Sequence, residues 1–187
     1  MPFRLRLSLT KKPNYIETHK IVGFFLPMKY HRLTADQLHE LHAEFSIYLA
    51  TQGIDKEMWE SLKENAPEQV QLHLDQFSDT VWETLLQKCQ YLDFGSQNYL
   101  YFFSTPEEQA EVLVLQVTHP KCNLTTKEGF GWALEHLHDD AVVLYHSFRE
   151  YTPSRELFLY EYLKKGAEIS KGEHFKVLKS YFSNSAK

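Results

Sequence analysis

Apolar and polar positions alternate most regularly between Gln90 and Thr118. Tyr91–Phe94, Tyr99–Ser104 and Glu111–Thr118 read as three strands, separated by the turns Gly95-Ser-Gln-Asn98 and Thr105-Pro-Glu-Glu108. Connections this short force antiparallel neighbours, so a meander is predicted. In the third strand Val112, Val114 and Gln116 share one face, and Leu113, Leu115 and Val117 the other. Apolar character on both faces predicts a central strand covered on both sides. The rings Tyr91, Phe94, Tyr99, Tyr101, Phe102 and Phe103 then read as core and cross-strand packing; a bare sheet face would instead make this stretch the binding site.

Helical periodicity flanks the block. Thr34-Ala-Asp-Gln37 is a capping box, and Leu38, Leu41, Phe45, Tyr48 and Leu49 form one apolar stripe that Gly53 terminates. Asp55 caps a short helix expected to bury Met58, Trp59 and Leu62. Pro67 opens a third helix with the stripe Val70, Leu74, Phe77, Val81, Leu85. After the sheet block, Thr125-Thr-Lys-Glu128 and Ser170-Lys-Gly-Glu173 read as further capping boxes. Between them lie a helix to about His138, a fourth strand over Ala141–Phe148, and a helix from Thr152-Pro153 closed by Lys164, Lys165 and Gly166. The predicted order is αααβββαβαα: an α+β fold with N-terminal helices, an antiparallel three-stranded meander plus a fourth strand, and C-terminal helices. Residues 28–187 read as a single domain of this kind with a frayed tail from Ser183.

Residues 1–27 stand outside this pattern. Phe3, Leu5, Leu7 and Leu9 alternate with Arg4, Arg6 and Ser8, then Pro13 and Pro27 interrupt. The stretch reads as a translated leader preceding a natural start at Met28, or as an edge strand or basic arm. Its apolar run Ile21–Pro27 is too short for a membrane span and lacks the flanks of a signal peptide.

Charge sharpens the picture. Residues 1–33 carry seven Lys/Arg against one acid, residues 34–163 seven against 22, and residues 164–187 six against two. An acidic body disfavours a nucleic-acid footprint, which needs clustered cations; the C-terminal lysines read as a solvated helix face. Two cysteines, Cys89 and Cys122, are too few for a disulfide framework and read as reduced thiols of a cytoplasmic protein.

Chemistry is sparse. His39 and His42 share a helix face, and His136 and Asp140 are i,i+4. These four are the candidate metal ligands, in an alternative reading as a metal-dependent hydrolase. None of the spacings completes a known zinc pattern. His119-x-x-Cys122 sits in a loop, and Gly129-Phe-Gly131 reads as close packing at a helix start. No Gly-rich phosphate loop or nucleophile elbow is present, so no catalytic residue and no cofactor is assigned.

Three motifs carry a resemblance: Met28-Lys-Tyr-x-Arg-Leu-Thr34, Leu124-Thr-Thr-Lys-Glu-Gly-Phe130 and Lys165-Gly-Ala-x-Ile-x-Lys-Gly-Glu173. Over residues 28–183 the chain resembles a small bacterial family known only as a domain of unknown function. The resemblance implies a bacterial cytosolic protein and brings no activity. The expected function is a non-enzymatic protein-interaction or regulatory module that binds a protein partner through an acidic surface, with its oligomeric state open.

Overall fold

The computed structural model describes residues 28–185, which fall into two compact units, 28–87 and 88–185. The Phe3–Leu9 alternation and the leader reading of 1–27 lie outside the described residues.

The first unit is helical: α1 Ala35–Glu40, α2 His42–Thr51, α3 Lys56–Asn65 and α4 Pro67–Lys88. The capping box is formed, with the Thr34 hydroxyl accepting from Gln37 N and the Gln37 side chain accepting from Thr34 N. The single helix expected between Thr34 and Gly53 is broken at Leu41, whose φ of −98° and ψ of 23° end α1 and begin α2. Gly53 closes α2 at φ 74°, and the Asp55 carboxylate accepts from Met58 N to start α3. Phe45 packs edge-on against Trp59 (5.3 Å) and Phe77 (5.0 Å). Met58, expected inside, is 50% exposed; Trp59 and Leu62 are half-buried.

An extended segment, residues 28–33, runs along α4 and has no helix or strand to satisfy its backbone. α4 side chains do so instead. Lys29 N and Tyr30 N donate to the two oxygens of Asp79 (3.1 and 3.0 Å), and Leu33 N donates to Ser78 Oγ (3.1 Å). Trp82 Nε1 donates to His31 O (3.0 Å). Side chains complete the register: Arg32 on Asp75 and Gln71, and Lys29 and Tyr30 both on Glu83. Gln71, Asp75, Asp79 and Glu83 recur every four residues, a polar stripe along one side of α4. The Glu83 carboxyl is held below its usual range, first by the Tyr30 hydroxyl. The Tyr30 phenol is pushed up to about 12, first by burial and then by the bond to Glu83. The Lys29 ammonium is raised by its hydrogen-bond neighbours Tyr30 and Glu83.

The second unit holds β1 Tyr91–Gly95, β2 Tyr99–Ser104, β3 Gln109–Val117, α5 Lys127–Glu135, β4 Val142–Glu150, α6 Arg155–Lys164, β5 Glu168–Ile169 and α7 Glu173–Ser185. The strands make one antiparallel sheet in the order β4-β3-β2-β1-β5. The α+β class and the meander are as predicted. The strand count is five rather than four: β5 is two residues, too short to carry a periodicity, and adds to β1. With the divided first helix, the order is ααααβββαβαβα rather than αααβββαβαα.

Two caps shift. Thr126, not Thr125, accepts from Gly129 N to start α5, because Thr125 is taken by the Asn123 side chain. Ser170 does not cap α7: its hydroxyl donates to Asp93 and accepts from Gly172 N. α6 is capped by Ser154 and stopped by Gly166 at φ 98°.

The sheet's two faces differ. Leu113, Leu115 and Val117, with Phe102 and Val142, are buried beneath α5 and α7 through Ala133, Phe175 and Leu178. On the opposite face α6 lies over one end, where Phe103 meets Phe158 and Tyr162 (6.1 and 4.6 Å). Arg155, at the start of α6, reaches back to donate to the carbonyls of Thr105 and Cys89. These carbonyls lie outside the strand ladder, and the guanidinium satisfies them while tying α6 to both ends of the β1–β2 hairpin.

Two outcomes are expected. Asp79→Ala leaves the backbone donors of Lys29 and Tyr30 without an acceptor and should cost about 1–3 kcal/mol in urea denaturation. The raised phenol holds its proton more tightly folded than unfolded. Its stabilising contribution is therefore complete below pH about 10, the ordinary tyrosine value, and is lost as pH rises through about 12. Tyr30→Phe should show a smaller fall in urea midpoint than the wild type across that interval.

Candidate functional site

The sequence-predicted ligands fall in different units, His39 and His42 in 28–87 and His136 and Asp140 in 88–185. His39 and His42 are both exposed and stack on each other at 6.2 Å, and the His42 Nδ1 faces the His39 carbonyl. His136 ends α5, its ring stacked on Trp132 at 4.4 Å and its Nδ1 2.8 Å from Trp132 O. Asp140 is exposed in the turn before β4. Among the described residues no group of three or more His, Cys, Asp or Glu side chains could hold a metal ion.

Two polar constellations were not foreseen. Asp93 on β1 accepts from Ser170 Oγ (2.9 Å) and faces His174 Nδ1 (3.4 Å), and burial raises its carboxyl. Ser170, Asp93 and His174 are the residue types of a nucleophilic relay in the wrong connection. The hydroxyl donates to the carboxylate rather than to the imidazole, so no base activates it. His174 is further held by the rings of Phe130 (4.9 Å) and Phe102 (5.6 Å). The second is Glu111 on β3, which takes Lys179 Nζ from α7 (2.5 Å) and His146 Nε2 from β4 (2.7 Å). It ties a helix to an outer strand.

A cavity of about 500 Å³ lies at the start of α5, lined by His119, Lys121, Cys122, Asn123, Thr126 and Trp132 among others. Its wall is set by close approach: a Cβ on Gly129 would stand 2.0 Å from Asn123 O, whereas one on Gly131 meets open space. Of the two glycines read as packing residues, only Gly129 has that role. The Cys122 thiol, 6% exposed, is raised by burial, and its Sγ contacts Gly129 O. A raised, buried thiol is a poor nucleophile, and His119 turns its ring to Trp132 at 5.0 Å.

The feature without a structural explanation is on the sheet. Beyond the end covered by α6, Tyr99 and Tyr145 are 36% and 49% exposed, with Tyr101, Val114 and Val143 half-buried between them. Gln116 links the two phenols, its Nε2 donating to Tyr99 Oη (2.8 Å) and its Oε1 accepting from Tyr145 Oη (2.9 Å). The register places Tyr101, Val114 and Tyr145 in one row across three strands. Among the described residues β3 is therefore apolar on both faces yet covered fully on only one. Beside this patch runs β4, the sheet's edge, paired to β3 over all nine of its residues without a bulge. Among the described residues its outer side has no strand partner. Its opposite face exposes Phe148 at 55%. Tyrosines, rather than Phe or Leu, at 99, 101 and 145 were the available sequence signal: each puts a hydroxyl where a buried strand would not tolerate one.

Among the described residues the fold is α+β with one antiparallel sheet, open in part on one face and along one edge. Residues 28–183 match a family of unknown function, DUF6495, and the chain belongs to that family. No curated protein and no solved structure matches it. Among the described residues no helix is long and apolar enough to cross a membrane.

The glycine contrast yields a direct check. Gly129→Ala should destabilise by about 1–3 kcal/mol through overpacking against the Asn123 backbone. Gly131→Ala, in the same helix with free space, should be neutral or stabilising by up to about 1 kcal/mol. Thermal unfolding of the pair reads the difference.

Proposed function

We propose that this chain is a non-enzymatic protein-interaction module that receives an extended strand of a protein partner along the outer edge of β4. The observation that carries the reading is β4 itself. An edge strand presents a row of unpaired N–H and C=O groups, and proteins ordinarily blunt such edges with proline, lysine, bulges or brevity. β4, Val142-Val-Leu-Tyr-His-Ser-Phe-Arg-Glu150, has no proline, lysine or bulge, and its charges, Arg149 and Glu150, sit at one end. β5, at the other edge, is two residues long. Tyr145 on one face of β4 and Phe148 on the other stand ready to flank an added strand. In strand addition the main-chain bonds supply affinity and the flanking side chains supply selectivity.

The acidic residues of the first unit bear on encounter and not on the strand pairing itself. Residues 28–87 carry 11 Asp/Glu against four Lys/Arg, and most of those acids are exposed. Such a field speeds encounter with a basic partner and slows it with a like-charged one; it acts on rate rather than on what holds a complex together.

Phe148→Pro is the decisive variant. By the alternation of the ladder the Phe148 N–H points away from β3, so proline removes an outward donor and leaves the β3–β4 bonds intact. Wild-type bait should recover partners from native lysate at low salt; Phe148→Pro, with unchanged circular dichroism, should lose at least about 90% of that recovery, a tenfold loss of binding or more. Equal recovery by both baits would sink the reading.

A further inference from the structure

We infer that the strand received by β4 is β4 of a second copy of this chain, antiparallel and related by a two-fold axis at His146. The inference rests on the strand-addition reading above and names its partner.

The geometry starts from the ladder. Thr118 N donates to Ala141 O (2.9 Å), so residues 141, 143, 145, 147 and 149 turn their backbone groups toward β3. Leu144, His146 and Phe148 turn theirs outward. A symmetric pairing over the full strand has its centre at the midpoint of Val142–Glu150, which is His146. That midpoint is one of the outward-facing residues, so a full-length pairing satisfies the outward N–H and C=O groups of all three. The alternative of a centre at 145 or 147 shortens the overlap.

Side chains fit the same register. About His146, Leu144 lies opposite Phe148 of the second copy, apolar against apolar and on the α7 side. Tyr145 lies opposite Ser147, large against small, on the open face. Val143 lies opposite Arg149, which places the guanidinium on the diagonal to the Tyr145 ring, within reach of a long side chain. Arg149 and Glu150 sit together at one end of β4, so the two-fold carries them to opposite ends of the pair and opposes no like charges there. His146 meets its own copy while its Nε2 is engaged by Glu111, which Lys179 also holds; Phe148 and Phe182 flank the ring.

Area sets the strength. An aromatic side chain offers about 150–250 Å², so Tyr145 and Phe148 at their observed exposures contribute roughly 200 Å² per copy. Even with the strand backbone added, the pair falls below the ~1,200–2,000 Å² of a stable complex, which makes the dimer a weak, concentration-dependent one.

Cysteine crosslinking reads the register. In an antiparallel hydrogen-bonded pair the Cα atoms lie ~5.5 Å apart, within disulfide range. His146→Cys should form a disulfide-linked dimer at least about tenfold faster than Ser147→Cys under mild oxidation, because only the former faces itself. The native thiols, Cys89 and Cys122, are buried and do not compete. In the unsubstituted full chain, exchange protection of the Leu144, His146 and Phe148 amides should rise with protein concentration. Absence of the His146→Cys dimer together with concentration-independent exchange overturns the inference. If those amides are unprotected, yet Phe148→Pro still loses its lysate partner, β4 receives a foreign strand and the broader reading stands. If they are protected equally at every dilution, the edge is covered from within the chain and both readings fall.

Discussion

Burial of Leu113, Leu115 and Val117 beneath α5 and α7 is the constraint on which the second unit depends. A strand's side chains alternate with period two, so slipping β3 by one residue would turn this set outward and bring Val112, Val114 and Gln116 under the helices. The same burial draws in Leu100 and Phe102 from β2 and Val142 and Leu144 from β4, fixing both neighbouring registers at once. Everything on the other face follows. Tyr99, Tyr101 and Tyr145 are brought into neighbouring positions because their sequence neighbours are committed to the core. The tyrosine row is thus a by-product of the core register that the chain has furnished with hydroxyls and an amide.

Polar side chains do the joining where regular structure runs out. In the first unit an extended segment with no strand beside it is satisfied by Asp79, Ser78 and Trp82, in a register set by the four-residue spacing along α4. In the second, Arg155 closes carbonyls that neither β1 nor β2 can reach. Where such a group is buried, as at Leu33 N, leaving its bond unmade would cost about 1–3 kcal/mol. That is a large share of the stability of a small unit, and it gives these few side chains weight well beyond their area.

Much of this was legible in the sequence. The meander, the α5 and α6 helices, the Thr34 box and the Gly53 and Gly166 stops carry local signatures, and local signatures survive folding. The misses have specific causes. A two-residue strand has no period to detect. Leu41 continues the apolar stripe while its backbone leaves the helix. Thr125 and Ser170 have the right spacing for caps, but Asn123 and Asp93 compete for them. The stapling of 28–33 was half visible: Gln71, Asp75, Asp79 and Glu83 were readable as a stripe, but what they bind is 39 to 54 residues away. The open face was hardest, because coverage depends on where α6 is placed, and a ten-residue helix spans only about 15 Å. The candidate metal ligands were readable only as pairs, since spacing along one stretch of chain says nothing about convergence with another.

The inequality of the two sheet edges has a consequence for solubility. A sheet that is open at both margins can add copies without limit, and such growth ends in fibres. Here one margin is nine residues of regular strand and the other is two residues ending at the turn into α7. Among the described residues the sheet offers no second long margin, so a strand added at β4 would find no equal edge on the far side from which a further copy could continue.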